Sequence, residues 1–194
     1  MDKGNVYTGG KKGMLKAITV FSGSAEDCPQ AYKQAAEELG RAIARQGRTL
    51  VYGSGQCGLM GMTAKGAKEE GGYVVGINVK RFESYAPYPG TDELLMLETL
   101  PQRKAALIDR GDACVALPGG VGTLDELMDV YALVQAGILE KPIGLLNVNG
   151  YFDGLLAQLE RALQERFLNE RDYRRLIVAG DAETLLRKLD EYAG

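Results

Sequence analysis

The sequence predicts an α/β fold, a single Rossmann-like domain on an open, mostly parallel sheet flanked by helices. Two observations carry this. From Ala17 onward, short β-rich runs alternate with amphipathic stretches, the pattern of successive βαβ units. Gly-rich turns stand at Gly23, at residues 53–58 and at residues 119–122. They follow predicted strands, at the carboxyl edge where such sheets bind ligands and where glycine lets backbone approach phosphate. A phosphate-bearing ligand is the expectation from this organisation alone.

Residues 17–21 are the first predicted strand, ending in Ser22-Gly23-Ser24. The helix after Pro29 carries Ala35, Leu39, Ala42 and Ile43 at helical spacing until Gly47 stops it. Residues 49–52 form a second strand, and the loop 53–58 opens a helix that closes at Gly71-Gly72, before a third strand at 73–77. Residues 78–93 hold Pro87, Pro89 and Gly90 and have no clear period, so they read as a loop suited to a lid or an interface. A short strand is expected at 94–97. Pro101 suits the first turn of a helix reaching Arg110, and residues 113–117, almost without polar side chains, form a buried strand. A helix over 122–136, a strand over 143–148, helices over 153–164 and 181–192, and a short strand at 176–178 complete the order. Residues 1–14 are Gly- and Lys-rich with no apolar h-region and read as a flexible tail; residues 15–194 are the domain.

The chain of 194 residues is long enough for one buried core, and its 45% hydrophobic and 25% charged residues are ordinary globular values. Its apolar runs are too short for a membrane span, and a net charge of −3 offers no footprint for a nucleic-acid polymer. No membrane partner and a cytoplasmic location are expected. Cys28, Cys57 and Cys114 are widely spaced without a CxxC pair and read as reduced, mostly buried thiols. The chain has 0 His, which excludes a Ser-His-Asp triad and removes the commonest metal ligand. Asp109, Asp112, Asp125 and Asp129 read as surface or dipole-facing acids. No metal and no cofactor are expected, and the chemistry must run on carboxylates, Arg, Lys, Tyr or backbone dipoles.

Gly53-x-Gly55-x-x-Gly58 has the spacing of a dinucleotide fingerprint, but it follows the second strand, and Asn78 stands where an acid would hold a ribose hydroxyl. The stronger segment is Pro118-Gly119-Gly120-Val121-Gly122-Thr123-Leu124-Asp125-Glu126. A buried strand there ends in glycines and a helix begins, so unpaired N–H groups and the positive end of the helix dipole converge on an anion. The competing reading is a tight turn with Thr123 and Glu126 as a capping box. Glu126 lies one turn from Thr123, roughly 4.5 Å along the axis. A carboxylate there disfavours phosphate unless it faces a centre that gains positive charge, as the anomeric carbon of a ribose 5-phosphate does in glycoside cleavage. Arg103 and Lys104 are two cations near the same crevice, suited to an anion or a carboxylate.

Taken together, these motifs resemble the LOG family of cytokinin-activating phosphoribohydrolases, long labelled lysine decarboxylase-like. Residues 118–126 match its PGGxGTxxE motif, and Arg103-Lys104 looks like its Arg-Lys pair. Phe21-Ser22-Gly23-Ser24, Tyr52-Gly53-Ser54-Gly55, Gly58-Leu59-Met60-Gly61 and the segment 141–147 extend the likeness over nearly everything after Leu15. The resemblance implies hydrolysis of AMP or N6-modified AMP to free base and ribose 5-phosphate, with Arg103 and Glu126 catalytic. It implies that Gly119, Gly120, Gly122 and Thr123 cradle the phosphate, with Gly23, Ser24, Gly53, Ser54 and Lys104 also in contact with substrate, and that the chain forms a homodimer. The sequence departs from the family in having Ser54 where Gly is common, Gln102 where Glu is common, and Leu100 where Met is frequent. A nucleotide-binding module without chemistry and an NAD(P)-binding protein are the alternative readings. The residues themselves give the decarboxylase label no support, since no lysine stands in a pyridoxal phosphate motif.

Overall fold

The computed structural model describes residues 15–82 and 87–193; the expected tail 1–14 and residues 83–86 of the expected loop lie outside the described residues. The chain runs β1 (Ala17–Phe21), α1 (Gln30–Arg45), β2 (Thr49–Tyr52), α2 (Gly58–Glu69), β3 (Val74–Val79), β4 (Glu93–Leu97), α3 (Leu100–Arg110) and β5 (Ala113–Ala116). It continues through α4 (Val121–Gln135), β6 (Ile143–Leu146), α5 (Asp153–Gln164), α6 (Glu170–Tyr173), β7 (Leu176–Ala179) and α7 (Ala182–Ala193). All paired strands are parallel, in the order β4-β3-β2-β1-β5-β6-β7. The chain winds outward from β1 to one edge and then restarts at β5 on the other side of β1. That reversal opens a crevice between the loops after β1 and β5, where open α/β sheets bind ligands.

Alternate strand residues feed two cores. Ile18, Val20, Leu50 and Tyr52 pack with Leu39 and Ile43 of α1, Leu59 of α2 and Leu185 of α7. Phe21, Val51, Val75 and Ile77 pack on the other face with Leu107 of α3, Leu127 and Val130 of α4, and Phe152. No helix among the described residues is long and apolar enough to cross a membrane.

Three segments differ from the sequence reading. β3 continues to Val79, because Asn78 and Val79 pair with Met96 and Leu97 of β4. Only pairing reveals this, since a polar Asn looks like a strand end. β6 stops at Leu146, and residues 148–150 form a 3₁₀ turn with Asn149 at φ 52°. The four-residue α6 is too short to carry a period and is held by its cap, Asn169 accepting from the Asp172 amide.

Candidate active site

A cavity of 690 Å³ opens at the carboxyl edge. Its wall near β5 is the amino end of α4. The first α4 backbone bond in the turn runs from Leu124 N–H to Gly120 O at 3.1 Å, and the cap residue Gly120 offers no side chain. The amides of Val121, Gly122 and Thr123 precede that bond and have no carbonyl behind them in the helix, so donors and the positive dipole end face the cavity. Gly119 lets the turn close: a Cβ there would lie 2.1 Å from Thr123 Oγ1. The loop after β1 is stitched to this turn by Gly23 N–H donating to Pro118 O at 3.0 Å.

The amino end of α2 is built differently. Gly23 O accepts from Leu59 N–H at 2.9 Å and from Met60 N–H at 3.4 Å. Gly58 adopts φ +56°, and a Cβ on it would sit 2.5 Å from the Ser24 carbonyl carbon. The Gly53-x-Gly55-x-x-Gly58 spacing therefore packs one loop against another. A protein carbonyl occupies the place where a dinucleotide fingerprint would receive a phosphate.

Arg103 reaches the cavity from the first turn of α3, whose start is fixed by a capping box between Thr99 and Gln102. Gln102 supplies the side-chain acceptor of that box, its Oε1 accepting from the Thr99 amide at 3.1 Å. The Arg103 guanidinium makes three directed bonds: Nε to Ile77 O at 3.1 Å, Nη2 to Gly53 O at 3.3 Å, and Nη1 to Glu126 Oε1 at 2.7 Å. A Cβ at residue 53 would lie 2.2 Å from Nη2, so only glycine admits this path. The Arg103 and Glu126 side chains are 13% and 12% exposed. Burial pushes the Glu126 carboxyl up, Arg103 beside it pulls it partly back, and the net shift is upward from the ordinary value of a glutamate.

The cavity is lined by Gly23, Ser24, Gly53, Ser54, Arg103, Gly120, Gly122, Thr123 and Glu126, each of them expected at the site from its motif. Ser54 stands at φ 62° with its buried hydroxyl lacking a partner among the described residues, a backbone conformation that glycine adopts without strain. Two candidates lie elsewhere. Gly119 shapes the turn from behind. Lys104 is turned away from the cavity: consecutive helical residues point about 100° apart, and its Nζ pairs with Asp125 at 3.0 Å and Asp129 at 3.3 Å, tying α3 to α4.

The capping-box alternative at Thr123 and Glu126 also fails, since α4 has no side-chain cap and Glu126 is engaged by Arg103. Of the acids read as surface groups, Asp112 accepts from the Lys16 and Ala17 amides. Of the thiols, only Cys114 is buried, with its pKa pushed up to about 12 by burial, whereas Cys57 lies on the cavity wall.

Ser22 and Gly55 of the glycine turns also line the cavity, and Glu26, Gln56, Met60, Asn78 and Phe82, which the sequence did not single out as site residues, complete its wall. Asn78 and Phe82 follow a strand whose end the sequence placed too early. Glu26 belongs to no motif and Gln56 fills only a variable position between Gly55 and Gly58, so position at the carboxyl edge was the one available signal.

A family model described as "Possible lysine decarboxylase" matches residues 60–189. The cytokinin riboside 5′-monophosphate phosphoribohydrolase LOG3 of Arabidopsis thaliana is 38% identical over 184 residues, covering 94% of this chain and 86% of that protein. The cytokinin riboside 5′-monophosphate phosphoribohydrolase LOG of Oryza sativa subsp. japonica is 39% identical over 189 residues, covering 95% and 76%. Among solved structures, the molybdenum cofactor binding protein of Rippkaea orientalis superposes with a TM-score of 0.73 at 22% identity, covering 93% of this chain and 99% of that one. A likeness at that identity speaks for the fold alone.

Proposed function

The chain belongs to the LOG family of phosphoribohydrolases, and from that premise we propose that it hydrolyses the N-glycosidic bond of purine nucleoside 5′-monophosphates such as AMP or N6-modified AMP. Water adds to the anomeric carbon and gives up a proton, the bond to the base nitrogen breaks with its electron pair going to the base, the base takes up a proton, and free base and ribose 5-phosphate result. The observation that carries this reading is the Arg103–Glu126 pair, enclosed in the same cavity as the open amino end of α4. A 5′-phosphate on the amides of Gly122 and Thr123 sets the ribose toward Glu126, one turn further along the helix. The carboxylate then faces the carbon that becomes oxocarbenium-like as the base departs. Arg103 holds the carboxylate in place and partly offsets the rise in its pKa that burial causes.

The phosphate is the handle in this scheme, so adenosine is expected to react with a catalytic efficiency on the order of 10²-fold or more below that of AMP. Base release from the two substrates under identical conditions checks this. Equal efficiencies would remove the basis for assigning α4 to the phosphate.

The proposal includes a homodimer. Leu100 at the start of α3 and Val121 and Leu124 at the start of α4 are exposed apolar side chains, the kind of surface that a second copy covers. Light scattering is expected to give twice the chain mass of 20.9 kDa. A single-chain mass at micromolar concentration would refute the dimer.

A further inference from the structure

We propose that Tyr151 is a positioning residue that holds the Gly119–Gly120 peptide with its N–H toward the bound phosphate. This inference rests on the reading of the α4 amino end as a phosphate cradle. Tyr151 follows β6, on a turn with Asn149 at φ 52° and Gly150 at φ 71°. That turn is pinned by Asn147: its amide donates to Ala179 O at 2.8 Å, its Oδ1 accepts from Phe152 N–H at 2.7 Å, and its Nδ2 donates to Asp153 Oδ1 at 2.8 Å. The Tyr151 ring meets Tyr32 of α1 edge-on at 5.5 Å and Phe152 at 5.2 Å. Its hydroxyl donates to Gly119 O at 2.5 Å.

The carbonyl of Gly119 and the N–H of Gly120 belong to one peptide. No peptide in the described chain is cis, so the two groups point in opposite directions. With the oxygen committed to Tyr151, the Gly120 N–H points away from that ring, and Gly120 lines the cavity. Glycine flanks this peptide on both sides. Gly119 is closely packed, a Cβ there lying 2.1 Å from Thr123 Oγ1, but a Cβ at Gly120 would meet nothing within 4 Å, so on the Gly120 side neither φ/ψ restriction nor side-chain packing resists a flip. A flipped peptide would aim the Gly119 oxygen, a negative partial charge, at a phosphate. The phenol holds the carbonyl outward and so preserves a donor for the ligand. Its spacing from residues 118–126 gives no sign of this in the sequence; β6 beside β5 brings it there.

Tyr151→Phe tests the inference, since it keeps the ring and its contacts with Tyr32 and Phe152 and removes only the hydroxyl. Calorimetry with ribose 5-phosphate is expected to show affinity about 3- to 10-fold weaker than wild type, the scale of one net hydrogen bond. KM for AMP is expected to rise by a similar factor, with adenosine turnover and melting temperature unchanged. Wild-type affinity for ribose 5-phosphate in the variant would overturn the proposal, as would an equal loss on adenosine and AMP, which marks general damage. Ribose 5-phosphate binding by wild type with no base release from any nucleotide would sink the proposed hydrolysis, while weaker binding by Tyr151→Phe would still uphold the role of Tyr151. Absence of ribose 5-phosphate binding by wild type would overturn both.

Discussion

Glu126→Gln is expected to bind AMP as tightly as wild type or more tightly, while releasing base on the order of 10²-fold or more slowly. The carboxylate shares a cavity with the amides that receive the phosphate, so in the ground state it repels the ligand mildly. Its benefit appears only as the anomeric carbon becomes positive, which is differential stabilisation of the transition state. Gln keeps the shape and can still accept from Arg103 Nη1. The loss then reads on charge and basicity and not on packing. Calorimetry with AMP beside base-release kinetics measures both halves of the claim.

The pH profile supplies the sign. Burial raises the Glu126 pKa more than Arg103 lowers it, so the ionised, active form is lost as pH falls through a value above the ordinary ~4.3 of a glutamate. Wild type should show an acid limb there, and the Gln variant should lack it. Near-wild-type turnover in Glu126→Gln would leave the carboxylate as a structural partner of Arg103 and require another catalytic group.

Arg103→Ala is expected to be more damaging, with turnover down on the order of 10³-fold and KM raised. Its guanidinium spans Ile77 O, Gly53 O and Glu126, so Ala leaves two carbonyls and a carboxylate without their donor in a site that is little exposed. Without the cation that draws it down, the Glu126 carboxyl should titrate at still higher pH, moving the acid limb toward neutrality. Arg103→Lys restores charge without the planar fork, since an ammonium cannot repeat three bonds at fixed angles. It should return the acid limb partway while leaving most of the rate loss in place. An acid limb unmoved in Arg103→Ala would contradict the coupling between the two residues.

The alternation of periods from Ala17 onward was enough to place most strands and helices, because a strand buried on both faces and an amphipathic helix leave opposite local marks. The glycine turns were legible for the same reason: a backbone that must turn sharply beside another loop tolerates no Cβ, and that demand is written in single positions. What pattern could not supply was direction and partnership. The sequence offered two Gly-rich helix starts. Only the fold shows that Gly23 O closes α2 while α4 stays open, since the deciding carbonyl comes from a loop more than thirty residues away.

Arg103 and Lys104 are adjacent in sequence and chemically alike. Their different destinations follow from about 100° of helical rotation and from acids on α4 that Lys104 meets first. β3 ran past Asn78 because β4 was there to pair with it. The sequence by itself determined the class of fold, the turns and the residue types able to handle phosphate and developing positive charge. Which amide and which cation face the cavity, and which tyrosine braces the turn behind it, was decided by tertiary structure, because hydrogen bonds and charges act through distance in space and the chain order does not encode that distance.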